Sequence, residues 1–149
     1  MRLPRLQRQP VVAVIAVLVL VAAGAAFVFL RGGEQPPPSV SLRAGDVGVR
    51  VQAARWCPDG EQCKTHRREV PVLRLTGTSD VLIEVDEPVG KRPWLVLVDG
   101  TSAGPLQRRS RSYRLTGVTG PLLVEVVTVD TDGKVILYRD RWIFRIENR

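Results

Sequence analysis

Leu122-Leu123-Val124-Glu125-Val126-Val127-Thr128-Val129-Asp130-Thr131-Asp132-Gly133 decides the fold. Leu122–Val129 reads as a long strand, and Asp-Gly tolerates the positive φ of a tight hairpin turn. Leu122–Val129 and Val135–Glu147 are therefore predicted to pair as a hairpin through Asp130–Gly133. In the second strand Ile136, Tyr138, Trp142, Phe144 and Ile146 share one parity. Asp140 shares it too, so a bend or bulge is expected near Tyr138–Arg141.

Working back from this hairpin, apolar residues alternate or come in short runs between Gly, Pro and Asp punctuation, with no sustained 3.6-residue period. Val47–Val51, Val81–Val85 and Ser112–Thr116 read as strands, with Val81, Ile83 and Val85 pointing inward and Tyr113 and Leu115 on one face. Val70–Leu75 is a further candidate; Pro71 removes an amide donor, so this strand lies at an edge or starts late. Trp94-Leu95-Val96-Leu97-Val98 is apolar on both faces, as in a covered central strand, and ends at Asp99-Gly100. Asp86–Pro93 reads as a polar turn. Seven short strands at this spacing predict an all-β domain, an immunoglobulin-like β-sandwich, with Trp94 and Trp142 as core anchors.

Ahead of the domain lies a different kind of sequence. Val11–Leu30 has no charged residue and is long enough as a helix to cross about 30 Å of hydrocarbon. Arg2, Arg5 and Arg8 precede it, and positive flanks stay in the cytoplasm. The chain is thus read as residues 1–10, a cytoplasmic basic tail; 11–30, a single-pass plasma-membrane anchor; 31–38, a Gly/Pro linker; and 39–149, an extracytoplasmic domain. The competing reading is a cleaved signal peptide with its small-residue site near Ala23-Gly24-Ala25, against which Phe27-Val28-Phe29-Leu30 continues the apolar run.

The formal charge is +7, with basic and acidic residues interspersed after the anchor. A nucleic-acid reader would show a basic stripe with interleaved aromatics, so no nucleic-acid partner is expected. Arg108-Arg109-Ser110-Arg111 is the densest basic run and reads as a solvated loop, with an anionic lipid or polyanion contact as the alternative.

Cys57-Pro58-Asp59-Gly60-Glu61-Gln62-Cys63 folds two thiols back around a Pro-Asp-Gly turn. In an exported domain they are expected to form a disulfide, a staple on one loop. A redox pair is more typically Cys-x-x-Cys at a helix start. Zinc could recruit Cys57, Cys63 and His66, but no fourth strong ligand stands nearby; no metal or other cofactor is expected. Gly100-Thr101-Ser102-Ala103-Gly104 matches a nucleophile-elbow pattern after a strand. Pro105 and Gln107–Arg111 do not continue as an amphipathic helix, and the sole histidine, His66, precedes the serine.

Cys57 with a second cysteine close behind at Cys63, Pro93-Trp94 opening an apolar strand, and Trp142 in the final strand, all behind a basic tail, a span and a Pro-rich spacer, resemble a family of actinobacterial cell-envelope proteins of unknown function. Many relatives look like lipoproteins with a membrane-proximal cysteine, which this chain lacks before Cys57. The resemblance implies an envelope location and transfers no catalytic residue. Two functions are carried forward: a non-enzymatic binding or structural module with an envelope protein or polymer partner, or a small envelope hydrolase or thiol-redox protein using Ser102 or the Cys57/Cys63 pair.

Overall fold

The computed structural model describes residues 36–66, 69–132 and 135–149. The span Val11–Leu30, the basic tail before it and the turn residue Gly133 lie outside them, and among the described residues no helix is long and apolar enough to cross a membrane. Pro37–Arg149 form one compact unit.

That unit is all-β, built from two sheets that are antiparallel apart from one strand pair. The strands are β1 (Ser39–Ala44), β2 (Val47–Gln52), β3 (Arg55–Trp56), β4 (Lys64–Thr65), β5 (Val72–Leu75), β6 (Ser79–Val85), β7 (Trp94–Val98), β8 (Thr101–Ser102), β9 (Ser112–Val118), β10 (Leu122–Asp132) and β11 (Val135–Asn148), with one helical turn, α1 (Glu87–Gly90). The first sheet runs β2-β1-β6-β9 and the second β4-β3-β11-β10-β7-β8, with β5 added to β11 in parallel.

The expected strands are present, and β5 explains its own boundary: it begins after Pro71 and has one neighbour, as the missing donor requires. Four strands were not anticipated. β1 alternates Val40, Leu42 and Ala44 inward, a period-2 signal masked by its position against the proline triplet; β3, β4 and β8 are two residues each and too short to show a period. Asp86–Pro93 contains α1, with Pro88 in its first turn, where no amide donor is needed. The β7–β8 hairpin turns on Asp99 (φ 49) and Gly100 (φ 79), the two successive positive φ values of a tight strand-joining turn.

One buried cluster joins the sheets: Val40, Leu42, Val81 and Ile83 from the first meet Trp94, Val96, Val124, Val126, Trp142, Phe144 and Ile146 from the second. Trp94 and Trp142 are fully buried. Each indole N–H needs a partner once buried: Trp94 Nε1 donates to the Ser110 carbonyl at 2.8 Å and Trp142 Nε1 to the Pro38 carbonyl at 3.0 Å. Pro38, read from sequence as the end of a spacer, is therefore folded into the domain; its carbonyl also accepts the Ala53 N–H. Beside it, the Ser39 amide and hydroxyl donate to Asp86 at 2.8 and 2.7 Å, and Arg50 pairs with the same carboxylate. Partial burial pushes the Asp86 carboxyl up, but the Ser39 bonds and the Arg50 charge outweigh it and hold the group below its ordinary value.

The bulge expected near Tyr138–Arg141 is present. Val127 pairs with Arg141 and Val129 with Tyr138, so Arg139 and Asp140 together oppose Thr128. Because side-chain direction has period two, the extra residue reverses the facing of what precedes it. Trp142, Phe144 and Ile146 are buried, whereas Ile136 and Tyr138, of the same sequence parity, are exposed.

Candidate functional site

Asp140 is fully buried and sits on the inner face beneath the bulge. Its carboxylate accepts the Cys57 amide at 2.8 Å, the Thr128 hydroxyl at 2.6 Å and Arg92 Nη1 at 3.2 Å. Arg92 also donates to Asp59 at 2.8 Å and stands 5.4 Å over the Trp56 ring. Arg139 reaches Asp59 at 3.0 Å and the Cys57 carbonyl at 3.2 Å. A buried carboxylate is tolerable only when paired and fully hydrogen-bonded, and here the partners double as a clamp on the cysteine loop. Cys57 and Cys63 are joined by a disulfide with Cα atoms 4.0 Å apart, slightly below the usual range. The bond takes both sulfurs out of service as thiolate ligands.

The outer face of the second sheet is concave. Leu97, Glu125, Val127 and Ile143 floor a depression of about 780 Å³, and the short strands β3 and β4 raise one wall over it with Ala54, Arg55, Thr65 and His66. Arg139, Arg141 and Tyr138 complete the rim. Glu125 is buried at the floor and pairs with Arg141 Nε. Arg139 is engaged by Asp59 and Asp130. Arg55 is exposed, and its guanidinium contact is with Cys63 Sγ at 3.8 Å, so its charge is available to the depression. The result is a cup with an apolar floor, one neutralised carboxylate and a rim of three arginines and one histidine. Of its ionisable residues the sequence pattern singles out His66, as a candidate zinc ligand, and not Arg55 or Glu125. The cup is assembled from β3, β4, β7, β10 and β11, and no local spacing announces it.

Ser102 lies elsewhere. It is exposed on β8, its hydroxyl donating to the Gly104 carbonyl at 2.8 Å, and the chain before it is a hairpin turn rather than a strand-to-helix elbow. In the basic run, Arg111 Nε donates to the Val85 carbonyl at 3.4 Å, and Arg109 takes a left-handed conformation, φ 56. Among the described residues no group of three or more His, Cys, Asp or Glu could hold a metal ion. No family model, curated protein or solved structure matches the chain.

Proposed function

We propose that this chain is a single-pass membrane-anchored, extracytoplasmic module of the cell envelope, of immunoglobulin-like sandwich type, which works by binding rather than catalysis. The strand order supports the sandwich reading: β1-β6-β9 against β7-β10-β11 follows the A-B-E and C-F-G order of that architecture. The charge-free Val11–Leu30 and the arginines before it support the anchor. The likeness to actinobacterial envelope proteins agrees with both.

The observation that carries the binding reading is the arginine-rimmed cup with Arg55 uncommitted to any carboxylate among the described residues. Arg139 and Arg141 are already paired with carboxylates, so Arg55 at the rim of an apolar floor is the group that suits an anionic polymer, because a guanidinium recognises carboxylate and phosphate in two-point fashion. Full-length protein in nanodiscs, titrated with inorganic polyphosphate as an anionic probe and with uncharged dextran as control, is expected to take up the former alone. Arg55→Glu reverses one rim charge and should weaken that uptake about tenfold. Equal uptake of both polymers, or polyphosphate binding indifferent to Arg55→Glu, would remove the cup from the account.

A further inference from the structure

Thr128 is the last residue of β10 to pair with β7, opposite Trp94, and the Val129 N–H still donates to the Pro93 carbonyl at 2.8 Å. Beyond Val129, with no further strand partner among the described residues, β10 and β11 continue as a two-stranded arm out to the pair Asp132–Val135. The β11 side of this arm is Val135-Ile136-Leu137-Tyr138, and these four are 57, 63, 50 and 51 % exposed. The β10 side opposite Ile136, Leu137 and Val135 is Thr131, Asp130 and Asp132. A bare two-stranded ribbon is marginal in water. Its β11 side chains alternate between the two faces, Ile136 and Tyr138 on one and Val135 and Leu137 on the other, so the apolar surface runs along the β11 edge, the kind of exposed patch that marks a contact surface.

Trp142, two residues beyond the bulge at the root of the arm, holds the Pro38 carbonyl. Ser39 opens β1 at the same end, bonded to Asp86 just after the end of β6, while the Asp99-Gly100 turn lies at the far end of β7. The strand that carries the exposed apolar residues therefore also grips the point where the chain joins from its amino-terminal side. Eight residues, Arg31–Pro38, separate that point from Leu30, a reach of at most about 28 Å when fully extended.

We propose that the β10–β11 arm is a lipid-docking element, with Ile136, Leu137 and Tyr138 settling into the interfacial region of the bilayer. This rests on the reading of Val11–Leu30 as a span. Among the described residues no strand pairs with the outer edge of β11 over Val135–Tyr138, which forbids deep insertion into hydrocarbon. It permits the shallow headgroup boundary, where water still reaches the backbone and a tyrosine ring is at home. Asp130 and its ion pair with Arg139 stay on the polar side, so burial of apolar surface, not attraction to anionic lipid, drives the contact.

The test uses full-length protein in phosphatidylcholine vesicles, with a fluorophore on Leu137→Cys and, separately, on Thr101→Cys in the far hairpin. Resistance to alkaline extraction reports the span by itself. The arm reading expects the label at 137 to lose quenching by aqueous iodide and gain quenching by headgroup-labelled nitroxide lipid, while the label at 101 shows neither change. Adding Ile136→Asp and Tyr138→Asp should restore iodide quenching at 137 without releasing the protein from the vesicles. Iodide quenching equal at 137 and 101 in protein that resists extraction would overturn the arm while leaving the span intact. Shielding at 137 that grows with protein-to-lipid ratio would overturn it in favour of a second copy. Loss of the protein on extraction would instead refute the span, and iodide shielding at 137 would then have to persist on vesicles added to the extracted protein for the arm to stand.

Discussion

The two halves of β11 have the same kind of sequence and opposite fates. In one half Trp142, Phe144 and Ile146 are fully buried beneath the first sheet, with Ile143 between them facing the cup; from Val135 to Tyr138 equally apolar residues stand half exposed or more. Propensity and hydrophobicity do not distinguish them. What does is the bulge at Arg139–Asp140, which reverses side-chain facing, together with the end of β7 opposite Thr128, beyond which no strand among the described residues continues the sheet. Burial of a strand is thus decided by what lies across from it, and the boundary is fixed by one polar residue that has to face inward to meet its donors.

The sharpest way to break this contrast is truncation on the covered half. Trp142→Ala removes a fully buried indole and the donor to Pro38, and should lower unfolding free energy by about 3–5 kcal/mol, read as a drop in urea midpoint at unchanged slope. The loss should fall on the chain's junction as well as the core, because among the described residues the Pro38 carbonyl then keeps the Ala53 bond alone.

The boundary itself is probed by Asp140→Asn. The amide can still accept the Cys57 N–H, but its NH₂ faces the Thr128 hydroxyl and Arg92 where a charged acceptor stood. A charge-assisted hydrogen bond is worth about 1.5–3 kcal/mol, and a loss in that range is expected. Proteolysis of the native protein should then cut first in the Cys57–Cys63 loop, which Asp140 and Arg92 hold in place. A cost below the effect of an ordinary surface substitution would show that the bulge is set by the turn and not by the buried carboxylate.

How much of this was legible beforehand follows from range. Strand existence was legible because alternation is local: Val81, Ile83 and Val85 read as inward and are buried. The bulge was legible because Asp140 broke an apolar parity. Arg92 as the partner of Asp140 was not, being 48 residues away with no pattern linking them. The cup was not, since its wall depends on two strands of two residues each. The cysteine pair was legible as chemistry; its attachment to the core through Cys57 N–H and Asp140 was a tertiary fact.

The mildest substitution completes the contrast from the uncovered half. Ile136→Thr keeps the β-branched shape and so the strand preference, while removing apolar surface from a residue that is 63 % exposed and makes no core contact. Surface changes of this sort normally stay within about 0.5 kcal/mol, so its urea midpoint in detergent-solubilised protein should be indistinguishable from the parent. A loss approaching that of Trp142→Ala would mean that the arm packs against something the sheets do not supply, and the division of β11 into a structural and a presenting half would fail. An unchanged midpoint, with Trp142→Ala severely destabilised, would establish that the same strand spends its apolar residues on the core at one end and keeps them available for a contact at the other.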